Sequence, residues 1–231
     1  AKREKNTKPL PRVLLIGDSI TGSYQGQVFK NLDGKATVFK NPGNAEDTWN
    51  GVERMDDWLD IKKYLMNGQE YLELVDGIHK ALGEEFARVC PQHASRGAEL
   101  AGVIWFQGIQ DGQWDSKAQA YEENLANLIR DLRKEFKSPE LPFVIGGLAD
   151  AGGPMIPNKQ KVFDAQMAVG DPVKYPAFKG NLISVDTRPM CHPLAECPGG
   201  RDPYKGNAGS YLKIGEALGR AMLDLIDRKA K

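Results

Sequence analysis

The chain has 231 residues, and its 31 Lys plus Arg are balanced by 31 Asp plus Glu, for a formal net charge of zero. That balance excludes the basic excess of a nucleic-acid binder, and no run reaches the about 18 apolar residues of a membrane span. An apolar content of 41% is enough for a core, and the length suits one α/β domain.

Residues 1–11, AKREKNTKPLP, are charged and end in prolines, so they read as a flexible lead-in to a single domain over 12–231. Arg12 to Gly17 is a short apolar run ending in glycine, the pattern of a buried parallel strand. A helix is predicted over Tyr24 to Leu32, a second strand over Lys35 to Asn41, and a turn-rich loop over 41–47. Thr48 to Leu65 shows helical spacing, with Thr48 as cap and Val52, Met55 and Leu59 on one side. Gly68 to Cys90 reads as one further helix, with Leu72, Val75, Ile78, Leu82 and Phe86 on a single face. Leu100 to Gly108 is a third strand, and Ser116 to Lys137 an amphipathic helix through Tyr121, Leu125, Leu128 and Leu132. A fourth strand over Leu141 to Ala149, a helix over Asn158 to Gly170, a fifth strand over Asn181 to Asp186 and a closing helix over Gly206 to Lys229 complete the chain. Strands alternating with helices imply a parallel sheet covered on both faces, with ligands bound beyond the carboxyl ends of the strands.

The loops at those ends carry groups suited to acyl transfer, which needs a nucleophile, a base and donors for the oxyanion. In LLIGDSITGSY, Ser19 follows the first strand and precedes a helix. It is either a displayed nucleophile or a helix cap. Three blocks decide. GDSI, NPGNAEDT and WFQGIQDG, in this order and spacing, resemble the SGNH (GDSL-type) hydrolase superfamily of esterases and lipases. The stretches AYEENLANLIRDLRKEF, LPFVIGGL and GNAGSYLKIGEALGRAM are similar to its carbohydrate-esterase branch, which includes sialate O-acetylesterase-like proteins. The resemblance covers Arg12 to about Met222 and is weakest between Leu59 and Leu100.

The resemblance implies a three-layer, flavodoxin-like α/β fold, with a five-stranded parallel sheet between helices, and a serine hydrolase needing no metal or organic cofactor. It implies Ser19 as nucleophile, with an oxyanion hole from the Ser19 and Glu46 amides and the Gln110 side chain. Glu46 stands where the superfamily usually has glycine, and Gln110 where it has asparagine. Asp18, Asn44 and Asp111 fall in the same blocks as substrate-contacting candidates. Trp49 and Trp114 are candidates for a cleft wall against a sugar ring, whereas Trp105, inside a strand, reads as core.

The last block departs from the pattern. Where the superfamily has Asp-x-x-His, this chain reads GRDPYKGNAGSY, with Asp202 at the aspartate place and Lys205 or Pro203 at the histidine place. Of the three histidines, His79 reads as a helix residue and His93 as a loop residue far from the strand-end edge. His192 follows the fifth strand and is the expected replacement base, oriented by Asp186 or Asp202; an imidazole titrating near ~6.5 suits the task. Lys205 is the rival base. Arg188 and Lys205 are also candidate anchors for an anionic sugar, a uronate or a sulfated one.

The leading expectation is thus a carbohydrate acetylesterase. Alternatives are a hydrolase of another carbohydrate ester, such as a sulfate ester, and a carbohydrate-binding protein that has lost its base. Cys191 and Cys197 bracket CHPLAEC, either as a disulfide or as two thiols. Esterases of this style are often exported, so a secreted or periplasmic location is the expectation.

Overall fold

The run Leu100–Phe106 has all seven of its residues buried, as a parallel strand covered on both faces requires. Its side chains alternate, Val103 and Trp105 entering one core, Ile104 and Phe106 the other. In the computed structural model, described for residues 12–17, 21–40, 69–149, 155–197 and 207–229, this run is the middle strand of the sheet.

The strands are β1 (Arg12–Gly17), β2 (Thr37–Lys40), β3 (Leu100–Phe106), β4 (Phe143–Gly146) and β5 (Leu182–Val185). They form one sheet in the order β2-β1-β3-β4-β5, with every pairing parallel. That is the flavodoxin-like doubly wound order, whose topological switch point lies between β1 and β3.

Helices cover both faces. On one side, α1 (Thr21–Leu32) and the closing helix α6 (Ala208–Lys229) bury Tyr24, Val28, Leu32, Ile214, Leu218, Met222 and Leu225 against Val13, Ile104, Phe106 and Val144. Each such large side chain contributes about 1.5–3 kcal/mol by leaving water. On the other side lie α2 (Gln69–Leu82), α4 (Asp115–Glu135) and α5 (Pro157–Val169), which bury Leu74, Ile78, Tyr121, Leu125, Leu132 and Val162 against Val103, Trp105, Phe143 and Ile145.

α1 and α6 touch closely. A Cβ on Gly215 would come within 2.9 Å of the Tyr24 carbonyl oxygen, and one on Gly219 within 3.1 Å of Asn31 Cβ. Glu216 joins the two helices, accepting from Gln27 Nε2 at 3.1 Å through its carboxylate and from Asn31 Nδ2 at 3.4 Å through its carbonyl. Moving toward the C-terminus of α6 therefore moves toward the C-terminus of α1: the pair runs parallel, and their first turns are level.

The expected single helix over Gly68 to Cys90 is two. Gly83, at φ −100° and ψ −108°, leaves helical geometry and separates α2 from α3 (Glu84–Val89). A 3₁₀ turn, Pro91–Arg96, then leads into β3. At that same edge Arg133 is buried, donating to the carbonyls of Leu141 and Asn181 and to Asn181 Oδ1 at 2.7 Å. Burial pulls its guanidinium down to about 10, which leaves it charged at neutral pH. The lead-in 1–11 and the expected Thr48 to Leu65 helix lie outside the described residues.

Candidate active site

The loop after β3 is held from below by a buried polar network. The Gln107 backbone carbonyl accepts from Tyr121 OH at 2.8 Å and from Gln166 Nε2 at 2.6 Å. Gln166 Oε1 accepts the Leu148 N–H at 2.6 Å, so one side chain of α5 ties the loops after β3 and β4 together. Trp105 Nε1 donates to Tyr121 OH at 3.2 Å, which fixes this indole in the core, as its place in a strand suggests. Gly108 turns the chain at φ 145°, a conformation open to glycine, and a Cβ there would lie 2.7 Å from Val162 Cγ1.

This changes the reading of Asp111. Expected to face substrate, it is fully buried and accepts from Gln107 Nε2 at 2.7 Å. Its carboxyl group ties the loop to itself, because a buried polar group needs a hydrogen-bond partner inside the fold. Gln110, one residue earlier, stands exposed at the corner of the loop. Trp114, at the start of α4, is 60% exposed, as a cleft-wall residue would be.

In the loop after β5, Thr187 is fully buried and its Oγ1 donates to the Gly147 carbonyl at 2.5 Å. Asp186 does not face His192. Arg188 donates from Nε at 2.9 Å and from Nη2 at 2.7 Å to the two Asp186 oxygens, and its guanidinium lies 3.9 Å above the Phe163 ring centroid. Two expectations are corrected together. Asp186 pairs with Arg188 where a contact to His192 was expected, and the Nε and Nη2 donors of Arg188, expected to meet a substrate anion, are directed at Asp186. Hydrogen bonding from Arg188 holds the Asp186 carboxyl below its ordinary range.

His192 is docked on the first turn of α6. Its backbone N–H donates to the buried Ser210 Oγ at 3.0 Å, and Asn207 Oδ1 accepts the Ser210 N–H at 3.0 Å as a helix cap does. The ring Nδ1 lies 3.0 Å from Glu196 Oε2, and Nε2 lies 3.4 Å from Lys213 Nζ. Cys191 and Cys197 are not bridged; their thiols face the Thr187 and His192 carbonyls. His79 pairs with Glu135 at 2.9 Å on the exposed side of α2, and His93 lies in the 3₁₀ turn that leads into the amino end of β3, opposite the strand-end loops. Asp18, Ser19, Asn44, Glu46, Trp49, Asp202 and Lys205 lie outside the described residues.

Residues 50–192 match the family described as carbohydrate esterase, sialic acid-specific acetylesterase. That is more than half of the chain. The chain belongs to this carbohydrate esterase family. The resemblance read from the residues is borne out at that level.

Among relatives of this family member, a probable carbohydrate esterase of Arabidopsis thaliana is 33% identical over 73 residues, 32% of this chain and 26% of the relative. The match thus spans about a quarter of that relative's length. Its solved structure has a TM-score of 0.54 at 20% identity, over 87% of this chain and 66% of that one. A carbohydrate acetylesterase from Xanthomonas citri gives 0.52 at 17%, over 88% and 40%. A variant of an acetyl-xylooligosaccharide esterase from Geobacillus Stearmophilus gives 0.54 at 15%, over 94% of each chain. At these identities the likeness shows the fold: helices on a parallel sheet.

Sequence reasoning missed Glu196 and Lys213 beside His192, and Gln107, Gln166 and Tyr121 beneath the β3 loop. Glu196 carried a signal in its spacing, four residues after His192. Gln166 carried another, as an amide on the helix face that bears Val162 and Val169. Lys213 carried none, since its contact depends on where α6 docks.

Proposed function

We propose that this family member hydrolyses acetyl esters of a carbohydrate, with Ser19 as nucleophile and His192 as general base. The observation that carries this reading is the parallel seating of α6 on α1. It sets the first turn of α6, which holds His192 through Ser210, level with Thr21, the first residue of α1 and two residues after Ser19 in the chain. The sheet register supports it as well: Gly17 pairs with Phe106, so the loops that follow β1 and β3 leave the sheet as neighbours.

In this mechanism Ser19 Oγ attacks the ester carbonyl and its proton passes to His192 Nε2. The carbonyl electron pair moves onto oxygen, where the Ser19 and Glu46 amides and the Gln110 side chain stabilise it. Collapse breaks the bond to the sugar oxygen, which takes the proton from Nε2. Water then attacks the acetyl-enzyme by the same proton path and regenerates Ser19. Trp114 supplies an exposed aromatic face for the sugar.

The test is acetate release from an aryl acetate and from O-acetylated oligosaccharides, sialosides included, by the wild type, Ser19→Ala and His192→Ala. Both substitutions are expected to abolish turnover. A wild type that releases no acetate overturns the reading, and sulfate release would then point to the sulfate-ester alternative.

A further inference from the structure

The two nitrogens of His192 face opposite kinds of group. Nδ1 faces the Glu196 carboxylate at 3.0 Å, and a carboxylate only accepts. Nε2 faces the Lys213 ammonium at 3.4 Å, and an ammonium only donates. Both contacts are satisfied together by one form of the ring: neutral, with the proton on Nδ1 and the lone pair on Nε2. Glu196 and Lys213 are the charged groups that face the ring among the described residues.

We infer that Glu196 is the positioning carboxylate of His192, a role that the sequence reading gave to Asp186 or Asp202. The inference rests on His192 being the base. A base acting on a serine needs its outer nitrogen unprotonated and its inner nitrogen anchored, and a carboxylate at the inner nitrogen supplies both. During attack the Ser19 proton goes to Nε2 while Nδ1–H stays bonded to Glu196; no proton moves to the carboxylate. The Lys213 contact sits at the long limit for a hydrogen bond and is exposed, so it yields to an incoming hydroxyl.

A purely structural role for Glu196 fits poorly. Its side chain is 58% exposed, and a solvent-exposed polar contact of this kind adds little to stability. The loop that carries His192 needs no such pair to hold it, because the His192 N–H to Ser210 bond and the Thr187 anchor already do so.

The experiment compares the wild type, Glu196→Gln, Glu196→Asp and His192→Ala by ¹⁵N–¹H spectra of the histidine side chains and by kcat and KM on an aryl acetate. With three histidines in the chain, the His192 signals are those that vanish in His192→Ala. The wild type is expected to show the Nδ1–H tautomer at neutral pH. Glu196→Gln is expected to move the population toward Nε2–H and to lower kcat about 10- to 100-fold, with KM unchanged. Glu196→Asp is expected to restore part of both, with circular dichroism unchanged throughout. If His192→Ala keeps wild-type turnover, the base assignment falls and this inference with it. If His192→Ala is inactive while Glu196→Gln keeps both the Nδ1–H signature and kcat, the base assignment stands and the Glu196 inference alone is overturned.

Discussion

Gln166 donates from Nε2 to the Gln107 carbonyl at 2.6 Å and accepts the Leu148 N–H on Oε1, so one buried amide spans two strand-end loops. The two bonds differ in what their loss would cost. The Gln107 carbonyl keeps Tyr121 OH as a donor, whereas Leu148 N–H, on a residue 3% exposed, has its bond to Gln166. Gln166→Leu is therefore expected to destabilise the protein by about 1–3 kcal/mol, the cost of one buried polar group left without a partner. A shift of the urea midpoint at constant slope would confirm it. An unchanged midpoint would mean that the network does not hold the loops.

Gly108→Ala should be worse. The backbone at φ 145° strains any L side chain, by about 1–3 kcal/mol, and the new methyl would meet Val162 Cγ1 at 2.7 Å, adding overpacking of about 1–3 kcal/mol. Val162→Ala in the same chain removes the clash and leaves the strain. A double-mutant cycle of thermal stabilities is expected to show favourable coupling between the two substitutions. Strict additivity would show that the clash has no part in the loss.

The Asp186–Arg188 pair predicts a pH dependence whose sign is set. The folded carboxyl is held below its ordinary value, so the pair's contribution is fully present above the unfolded carboxylate value of about 3.9 and is lost as pH falls through the lower folded value. Both side chains are more than a third exposed, which limits the contribution to about 1 kcal/mol or less. The stability gap between wild type and Arg188→Ala should accordingly be larger at pH 7 than at pH 2. The part that persists in acid reports the stacking of the guanidinium on Phe163. A gap that does not change with pH would show that the ion pair adds nothing.

Elements whose signal is local were legible in the sequence. The strand Leu100–Phe106, the helix Asp115–Glu135 and the helix Ala208–Lys229 each lie within two residues or so of the reading, because a strand buried on both faces is an unbroken apolar run and a helix buried on one face repeats its apolar residues at a fixed period. The helix break at Gly83 was missed, since an apolar face continued from Leu72 through Phe86 and a lone glycine inside a helical pattern is often tolerated. The family was legible too, because GDSI and WFQGIQDG are short, ordered blocks at strand ends.

The partners of the polar side chains were another matter. Sequence alone determined the family to which the chain belongs and singled out His192 as the histidine that follows the fifth strand. Only the tertiary structure turned Asp111 inward to Gln107, gave Asp186 to Arg188, and set Glu196 and Lys213 on the two sides of the imidazole. The physical reason is range. Hydrophobic periodicity is written in residues three or four apart, whereas a hydrogen bond is decided over about 3 Å between groups that are adjacent only after the helices have docked on the sheet.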